Sequence, residues 1–505
     1  IDDSSKGNHL DISDYEINEY VELSQLLKEI GKGKTAPIDY VKSCPYLLSF
    51  MHNYEVRRIV NAYFHKHKDK TDMVTGKTDL WLNKGLIRKF RPLPANNARI
   101  QRLFKHCFQG NSELFLWVPP TLPYYPLAGV YKGAEELNFS KVLIFSAWEM
   151  VPRMIACLTS YEAERKTVGE LCLSKGLNDK AIYDLDRNKR YPQPRMTIKL
   201  NDGQPATMSL LSLLYPSKTL ASIYSPSEFW NSGYRTLESI TAKIKASIEK
   251  ELEPLRQKYG DSSGNGDSWY YMAPIIMDMK LDSEHVQEWI RGELERAGSV
   301  ENSKAYIVHL TELATRIADL DNLRLGKMPA DLVDTLVDMT LGGFATCIYR
   351  KISQDGCISS DATRMAKGFV DRFNTTETLA VVELAFRNND PEDTHWKSLL
   401  RYAKEGCFQS MFDEYYALIY ESLDHSKDQA ISDPDNQAPQ IDVTIMQMLE
   451  DIDLGTVTNR VEGGKDFKKR INKSEEDIAE KTSMRSHFAM GFSAGSSTDE
   501  KKIKT

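Results

Sequence analysis

Apolar residues recur with helical spacing over most of the chain. Between Asp14 and about Phe64 they fall roughly a turn apart, as at Val21, Leu23, Leu26 and Leu27, and predict helices on both sides of a break from Gly31 to Pro37. A charged loop is expected over 65–79 and another helix over 96–107. From about residue 171 onward the pattern is helical almost throughout, with stretches near 235–258, 282–297, 303–320, 329–340, 361–373, 376–387, 395–405 and 408–424. No segment repeats at a fixed period, which argues against a helical solenoid. Residues 456–505 are rich in Lys, Glu, Ser and Gly, and 494–505 read as disordered, because so little apolar surface cannot offset the entropy lost on ordering.

Two segments depart from the helical pattern. Leu114-Phe115-Leu116-Trp117-Val118 reads as a short strand ended by Pro119-Pro120. Lys141-Val142-Leu143-Ile144-Phe145-Ser146 is a continuous apolar run, as in a strand buried on both faces of a parallel sheet. Ser146-Ala147-Trp148-Glu149 then has the form of a helix capping box, and Pro152 falls early enough in the following helix to be tolerated. Met150, Val151, Met154, Ile155 and Leu158 form that helix's apolar stripe. Strand, cap and helix make half of a βαβ crossover, yet no second strand follows, so Val142 to Phe145 should lack a full set of neighbours within this chain. The predicted fold class is mainly α with a small α/β part.

Composition narrows the setting. At 505 residues the chain is long enough for about three domains, and a hydrophobic fraction of 41% suffices for real cores. Seven cysteines, an odd number with no C-x-x-C pair, point to free thiols in a reducing compartment and away from a disulfide framework or a zinc finger. No run reaches the roughly 18 apolar residues of a membrane span, and no signal peptide is evident. The chain opens on Ile1-Asp2-Asp3 without a methionine and is read as a piece of a larger cytoplasmic protein with no membrane partner.

The net charge of −7 decides nothing, because phosphate is bound by local basic stripes. Between Glu55 and Lys105 there are thirteen Lys or Arg against four Asp or Glu, with Arg88, Lys89 and Arg91 the tightest cluster. Tyr63, Phe64, Trp81, Phe90 and Phe104 are interleaved, as in a phosphate-tracking groove with stacking side chains. The alternative is a solvated helical face whose aromatics belong to a core.

Other apparent motifs dissolve on inspection. Gly31-Lys32-Gly33-Lys34-Thr35 ends like a phosphate-binding loop, but Lys28 stands where the first glycine belongs, and a helix C-terminal turn accounts for it. Asp413-Glu414 imitates a magnesium-holding acidic pair, yet its neighbours are helical and a structural or solvated pair is expected. His65 and His67 sit in a lysine-rich loop, and His487 is read as an ordinary core or surface histidine. Trp269, Tyr270, Tyr271 and Trp396 read as core aromatics. No catalytic or metal-ligating constellation emerges.

The stretch Lys141 to Gly169, KVLIFSAWEMVPRMIACLTSYEAERKTVG, resembles the start of the second RecA-like lobe in Swi/Snf-type members of helicase superfamily 2. Leu116 to Pro120 with Pro123-Tyr124-Tyr125, and Ser43-Cys44-Pro45-Tyr46-Leu47-Leu48, look like a group of large bacterial helicase-related proteins. Ser268 to Pro274, Arg372-Phe373-Asn374 and Tyr402 to Glu414 are similar to a helical insertion in that group, and Arg485 to Ala489 to the point of return to the motor. Where the group has S-P-A, this chain has Gly343-Phe344-Ala345.

The resemblance implies a partial RecA-like second lobe interrupted by a large helical insertion. Residues 1–139 would lead into the lobe, 140–170 would be its first strand and helix, 171–480 the insertion, and 481–505 the return. It also implies a parent ATP-dependent, helicase-like DNA translocase, of the kind found in phage defence or DNA processing. ATP and magnesium would act in that parent, held by loops outside this chain, and this chain alone would lack the ATP-hydrolysing motifs. DNA and the rest of the motor are the implied partners, with Lys141, Ser146 and Trp148 near nucleic acid. A reading from a different class remains beside it, a non-catalytic helical interaction module or scaffold.

Overall fold

The computed structural model describes residues 14–31, 38–52, 54–67, 79–94, 97–137, 144, 146–177, 190–261, 266–299, 303–386 and 394–427. Over these residues the chain is mainly helical, with a single two-stranded antiparallel pair. It divides into two compact units, one from the described residues up to Leu116 and those between Ser140 and Pro192, the other from Trp117 to Phe139 and the described residues after Gln193.

The first unit contains the helices Asp14–Glu29, Ile38–Ser43, Leu47–Phe50, Glu55–Lys66, Lys84–Arg88 and Ala98–Cys107. A longer helix, Met150–Glu164, continues through a π-turn at Arg165–Gly169 into Glu170–Ser174. Its apolar stripe packs as the spacing predicts: Met150, Val151, Met154 and Leu158 are buried together with Leu23, Leu26, Phe50 and Val60. The first helix closes at Gly31, which has a positive φ of 75° and whose N–H donates to the Lys28 carbonyl at 3.0 Å. The first glycine of the GKGKT stretch is therefore a helix end, while residues 32–37 lie outside the described residues.

Two expectations are corrected here. Leu114–Val118 is not a strand: a 3₁₀ turn covers Ser112–Leu114, and the Trp117 N–H donates to the Tyr131 hydroxyl at 3.2 Å. That backbone group finds a side-chain partner in place of a ladder, because Trp117 is drawn into an aromatic core. The capping box at Ser146 does not form either. The Ser146 hydroxyl accepts from the Trp148 N–H at 3.1 Å, and the helix begins one residue past Glu149 with no side-chain cap. Of the predicted strand, Ile144 and Ser146 are described and neither lies in a strand; Lys141, Val142, Leu143 and Phe145 lie outside the described residues, as do 428–505 with His487 and the return segment.

In the second unit the helices Leu237–Tyr259, Ser283–Ser299, Lys304–Ala318, Leu332–Gly342, Ser359–Arg372, Thr376–Ala385, His395–Glu405 and Phe408–Lys427 follow the predicted stretches within a few residues, while Trp269–Leu281 and Phe344–Ile352 are helices that no predicted stretch covers. Gly342 allows the helix Leu332–Gly342 to approach His395–Glu405 closely, since a Cβ there would stand 2.5 Å from the Leu400 carbonyl oxygen. Trp117, Tyr131, Tyr402, Phe344, Phe369, Phe373 and Phe408 share one aromatic core, in which the Trp117 indole donates to the Gly406 carbonyl at 3.1 Å. Trp269, Tyr270, Tyr271 and Trp396 are buried, as their pattern suggested. Among the described residues no single helix is long and apolar enough to cross a membrane.

Polar groups inside this unit are held by hydrogen bonds. The buried Asp278 carboxylate accepts from the Tyr215 hydroxyl (2.7 Å) and the Lys218 and Thr219 amides (2.8 and 2.7 Å) at the start of the helix Lys218–Ile223. Arg350 is buried and donates to the carbonyls of Ala221 (2.9 Å), Leu220 (3.3 Å) and Thr340 (2.7 Å) and to Gln409 Oε1 (2.5 Å). Helix-end carbonyls thus balance its charge without a direct carboxylate contact. The acidic pair is structural: Asp413 accepts from the Tyr124 hydroxyl (2.7 Å) and from Gln409, and Glu414 from the Thr121 and Leu122 amides (2.9 and 2.8 Å).

Candidate nucleic-acid interface

The basic cluster at 88–91 sits on a turn fixed from beneath. The helix Lys84–Arg88 starts at Asn83, whose side chain accepts the Leu86 N–H, and ends in a turn where Phe90 adopts a φ of 48°. Phe90 is buried against Gly169 of the π-turn; a Cβ at Gly169 would stand 2.8 Å from the Phe90 Cβ. The Tyr161 hydroxyl donates to the Arg91 carbonyl at 2.6 Å and lies 3.2 Å from the Leu86 carbonyl, and the Tyr46 hydroxyl donates to the Pro94 carbonyl at 2.8 Å. With its backbone and Phe90 so anchored, the turn leaves Arg88, Lys89 and Arg91 exposed.

A second basic element is the helix Ala98–Cys107. Asn97 caps it, its side-chain oxygen accepting from the Arg99 and Ile100 amides at 3.1 and 3.2 Å, while the Ala98 amide donates to Glu16. Arg99 and Arg102 follow one turn apart, exposed and half-buried respectively. Between this helix and Met150–Glu164 lies a cleft of about 130 Å³, whose lining includes Arg99, Arg102, Ser43 and Ser146 above Leu103 and Met154. Ser146 is exposed at this cleft.

Ion pairing separates these cations from their neighbours. Arg153, Arg165, Lys166 and Arg190 pair with Glu149, Glu162, Glu113 and Glu164. Arg57 is buried, lies 4.1 Å over the Trp81 ring and donates to the Leu48 carbonyl at 2.7 Å. Arg88, Lys89, Arg91, Arg99 and Arg102 enter no ion pair among the described residues.

The interleaved aromatics are at least partly packed against protein. Phe64, Trp81 and Phe104 pack against the core, Phe90 is buried, and Tyr63 stacks on His67 at 4.3 Å between ring centres. Trp148 likewise packs edge-on against Tyr40, 4.8 Å between ring centres, and against the core. Of these rings only Phe90 is buried outright; Tyr63, Phe64, Trp81, Phe104 and Trp148 are half-buried, each with part of its ring against protein. Arg99 and Arg102, within the counted stripe but not distinguished in it, share the cleft with Ser146; the asparagine cap followed by arginines at i and i+3 was the available signal.

Elsewhere in the unit, burial pushes the Glu19 carboxyl up to about 9, so it stays protonated at neutral pH while accepting the Leu47 amide at 3.2 Å. No group of three or more His, Cys, Asp or Glu capable of holding a metal ion occurs among the described residues. Compared with protein-family models, curated proteins and solved structures, the chain matches none.

Proposed function

We propose that the chain is part of an ATP-dependent, helicase-like DNA translocase and that its first unit holds nucleic acid by sequence-independent phosphate contacts. The observation that carries the phosphate-binding part is the set of five cations that have no acidic partner among the described residues, three of them on a turn anchored by Tyr161, Tyr46 and Phe90. A pre-ordered cation gains more from a phosphate than one that must be ordered on binding. The motor assignment rests on the resemblance of Lys141 to Gly169 to a second RecA-like lobe, and a partial lobe interrupted by a helical insertion is the fold proposed with it.

ATP and magnesium would belong to the parent motor. In this chain the two apparent motifs are otherwise engaged: Asp413 and Glu414 by Tyr124, Gln409 and two backbone amides, and Gly31 by the end of a helix. The test of the binding claim is fluorescence anisotropy with labelled DNA of unrelated sequences at low salt. The variant Arg88→Glu, Lys89→Glu, Arg91→Glu should bind every sequence about 10–100-fold more weakly with unchanged folding, each lost phosphate contact contributing comparably.

A second reading, a non-catalytic helical interaction module, draws on the helix Asp14–Glu29, where Ile17, Tyr20 and Val21 are exposed outside the face that buries Leu23 and Leu26. Absence of any anisotropy change with DNA at low salt would favour that reading.

A further inference from the structure

We propose that the cleft between the helices Ala98–Cys107 and Met150–Glu164 accepts the single-ring base of one nucleotide while Arg99 and Arg102 hold its phosphate. This rests on the phosphate-binding reading above and gives it a substrate class, single-stranded nucleic acid or free nucleotide in preference to duplex. The cleft measures about 130 Å³. An enclosed aliphatic cavity of about 150 Å³ accepts benzene, so this slightly smaller, open-sided cleft matches a single six-membered ring better than the fused rings of a purine. Ile100, Leu103, Val151, Met154 and Ile155 supply apolar contact for ring faces, and the hydroxyls of Ser43 and Ser146 can meet the polar edge.

Among the described residues that line the cleft there is no carboxylate to oppose an anion. The start of the helix Ala98–Cys107 is not the anion site, because Asn97 and Glu16 already take the amides of Ala98, Arg99 and Ile100. Phosphate recognition therefore falls to the guanidinium groups of Arg99 and Arg102, one helical turn apart on the cleft wall. A base inside a duplex is paired and stacked and cannot enter such a cleft without being extruded. The occupant is accordingly an unpaired nucleotide, which brings an apolar face and an adjoining phosphate in one unit.

The test uses the full 505-residue chain. Anisotropy titrations compare an oligothymidylate, an oligoadenylate and an abasic strand of equal length. The oligothymidylate should bind about tenfold more tightly than the abasic strand, the scale of burying one base, and also more tightly than the oligoadenylate. Ile155→Trp fills the cleft from a half-buried position, and Ser146→Trp covers it from an exposed one, so at least one should fold normally by circular dichroism. Each folded variant should lose the thymidylate preference and keep its affinity for the abasic strand. Competition by thymidine 5′-monophosphate, lost in Ile155→Trp, would extend the site to free nucleotides; a thymidylate preference without such competition would assign it to strands. Equal binding of thymidylate and abasic strands, or of thymidylate and adenylate, overturns the base pocket, as does a preference that survives in a folded variant. The phosphate reading survives that result if abasic-strand binding still depends on Arg88, Lys89 and Arg91, and fails with it if no strand binds.

Discussion

In the second unit Arg350 is buried and donates to three helix-end carbonyls and to Gln409, whereas in the first unit Arg88, Arg91, Arg99 and Arg102 have no acidic partner among the described residues and are exposed or half-buried. The same side chain does opposite work in the two settings. A buried, saturated guanidinium fixes the packing around it and has no donor to offer a ligand. A solvent-facing guanidinium without a partner adds little to folding but keeps its donors for phosphate. Stability and binding should therefore separate cleanly between the units.

The largest effect is expected at Arg350. Arg350→Met leaves several buried acceptors without a donor, each costing about 1–3 kcal/mol, so a loss of about 3–5 kcal/mol in urea unfolding is predicted. An unchanged unfolding midpoint would break the claim that this guanidinium is a saturated structural node. Next in size is Gly406→Ala, which brings a Cβ to 2.6 Å from the Trp117 ring and 2.7 Å from the Tyr131 ring. Overpacking of that kind costs about 1–3 kcal/mol, measurable in the same experiment with no change in DNA affinity.

A smaller and pH-dependent effect is expected at Glu19. Its folded pKa is raised, chiefly by burial, from 4.5 to about 9. The folded unit therefore keeps a proton that the unfolded chain releases, and the associated stability is present in full below about 4.5 and lost as pH climbs toward 9. Glu19→Gln removes that dependence. Thermal melts should show the variant gaining several degrees over the parent near pH 8, with the gain shrinking toward pH 5. A gain that grows as pH falls would contradict the burial of a neutral acid.

The helical body was legible because its helices carry their own signals. The stretch 395–405 matches the helix His395–Glu405 residue for residue, since Trp396, Leu399, Leu400 and Tyr402 mark one face and Gly406 stops it. The segment Leu114–Val118 was not legible: its apolar run resembles a strand, and only tertiary contacts with Tyr131 and Gly406 decide otherwise. The hairpin at Leu200–Pro205 passed unnoticed although Asp202-Gly203, both at positive φ, is a strong turn signal. At the candidate interface, sequence marked Arg88, Lys89, Arg91 and Ser146, whose exposure follows from polarity. It did not single out Arg99 and Arg102, because only packing of the two helices sets them on one cleft with Ser146. The interleaved aromatics suggested a stacking groove for the same reason: spacing alone does not tell a ring facing a core from one facing a ligand.

The claim that the unpaired cations of the first unit hold phosphate is tested most directly by the salt dependence of DNA binding. Each neutralised phosphate contributes about 0.7–0.9 to the slope of log affinity against log salt. The parent chain should therefore show a slope of several units, and reversal of Arg88, Lys89 and Arg91 should flatten it by about two or more while leaving the melting temperature unchanged. Parallel salt lines for parent and variant would mean that these side chains never meet phosphate, and would contradict the account.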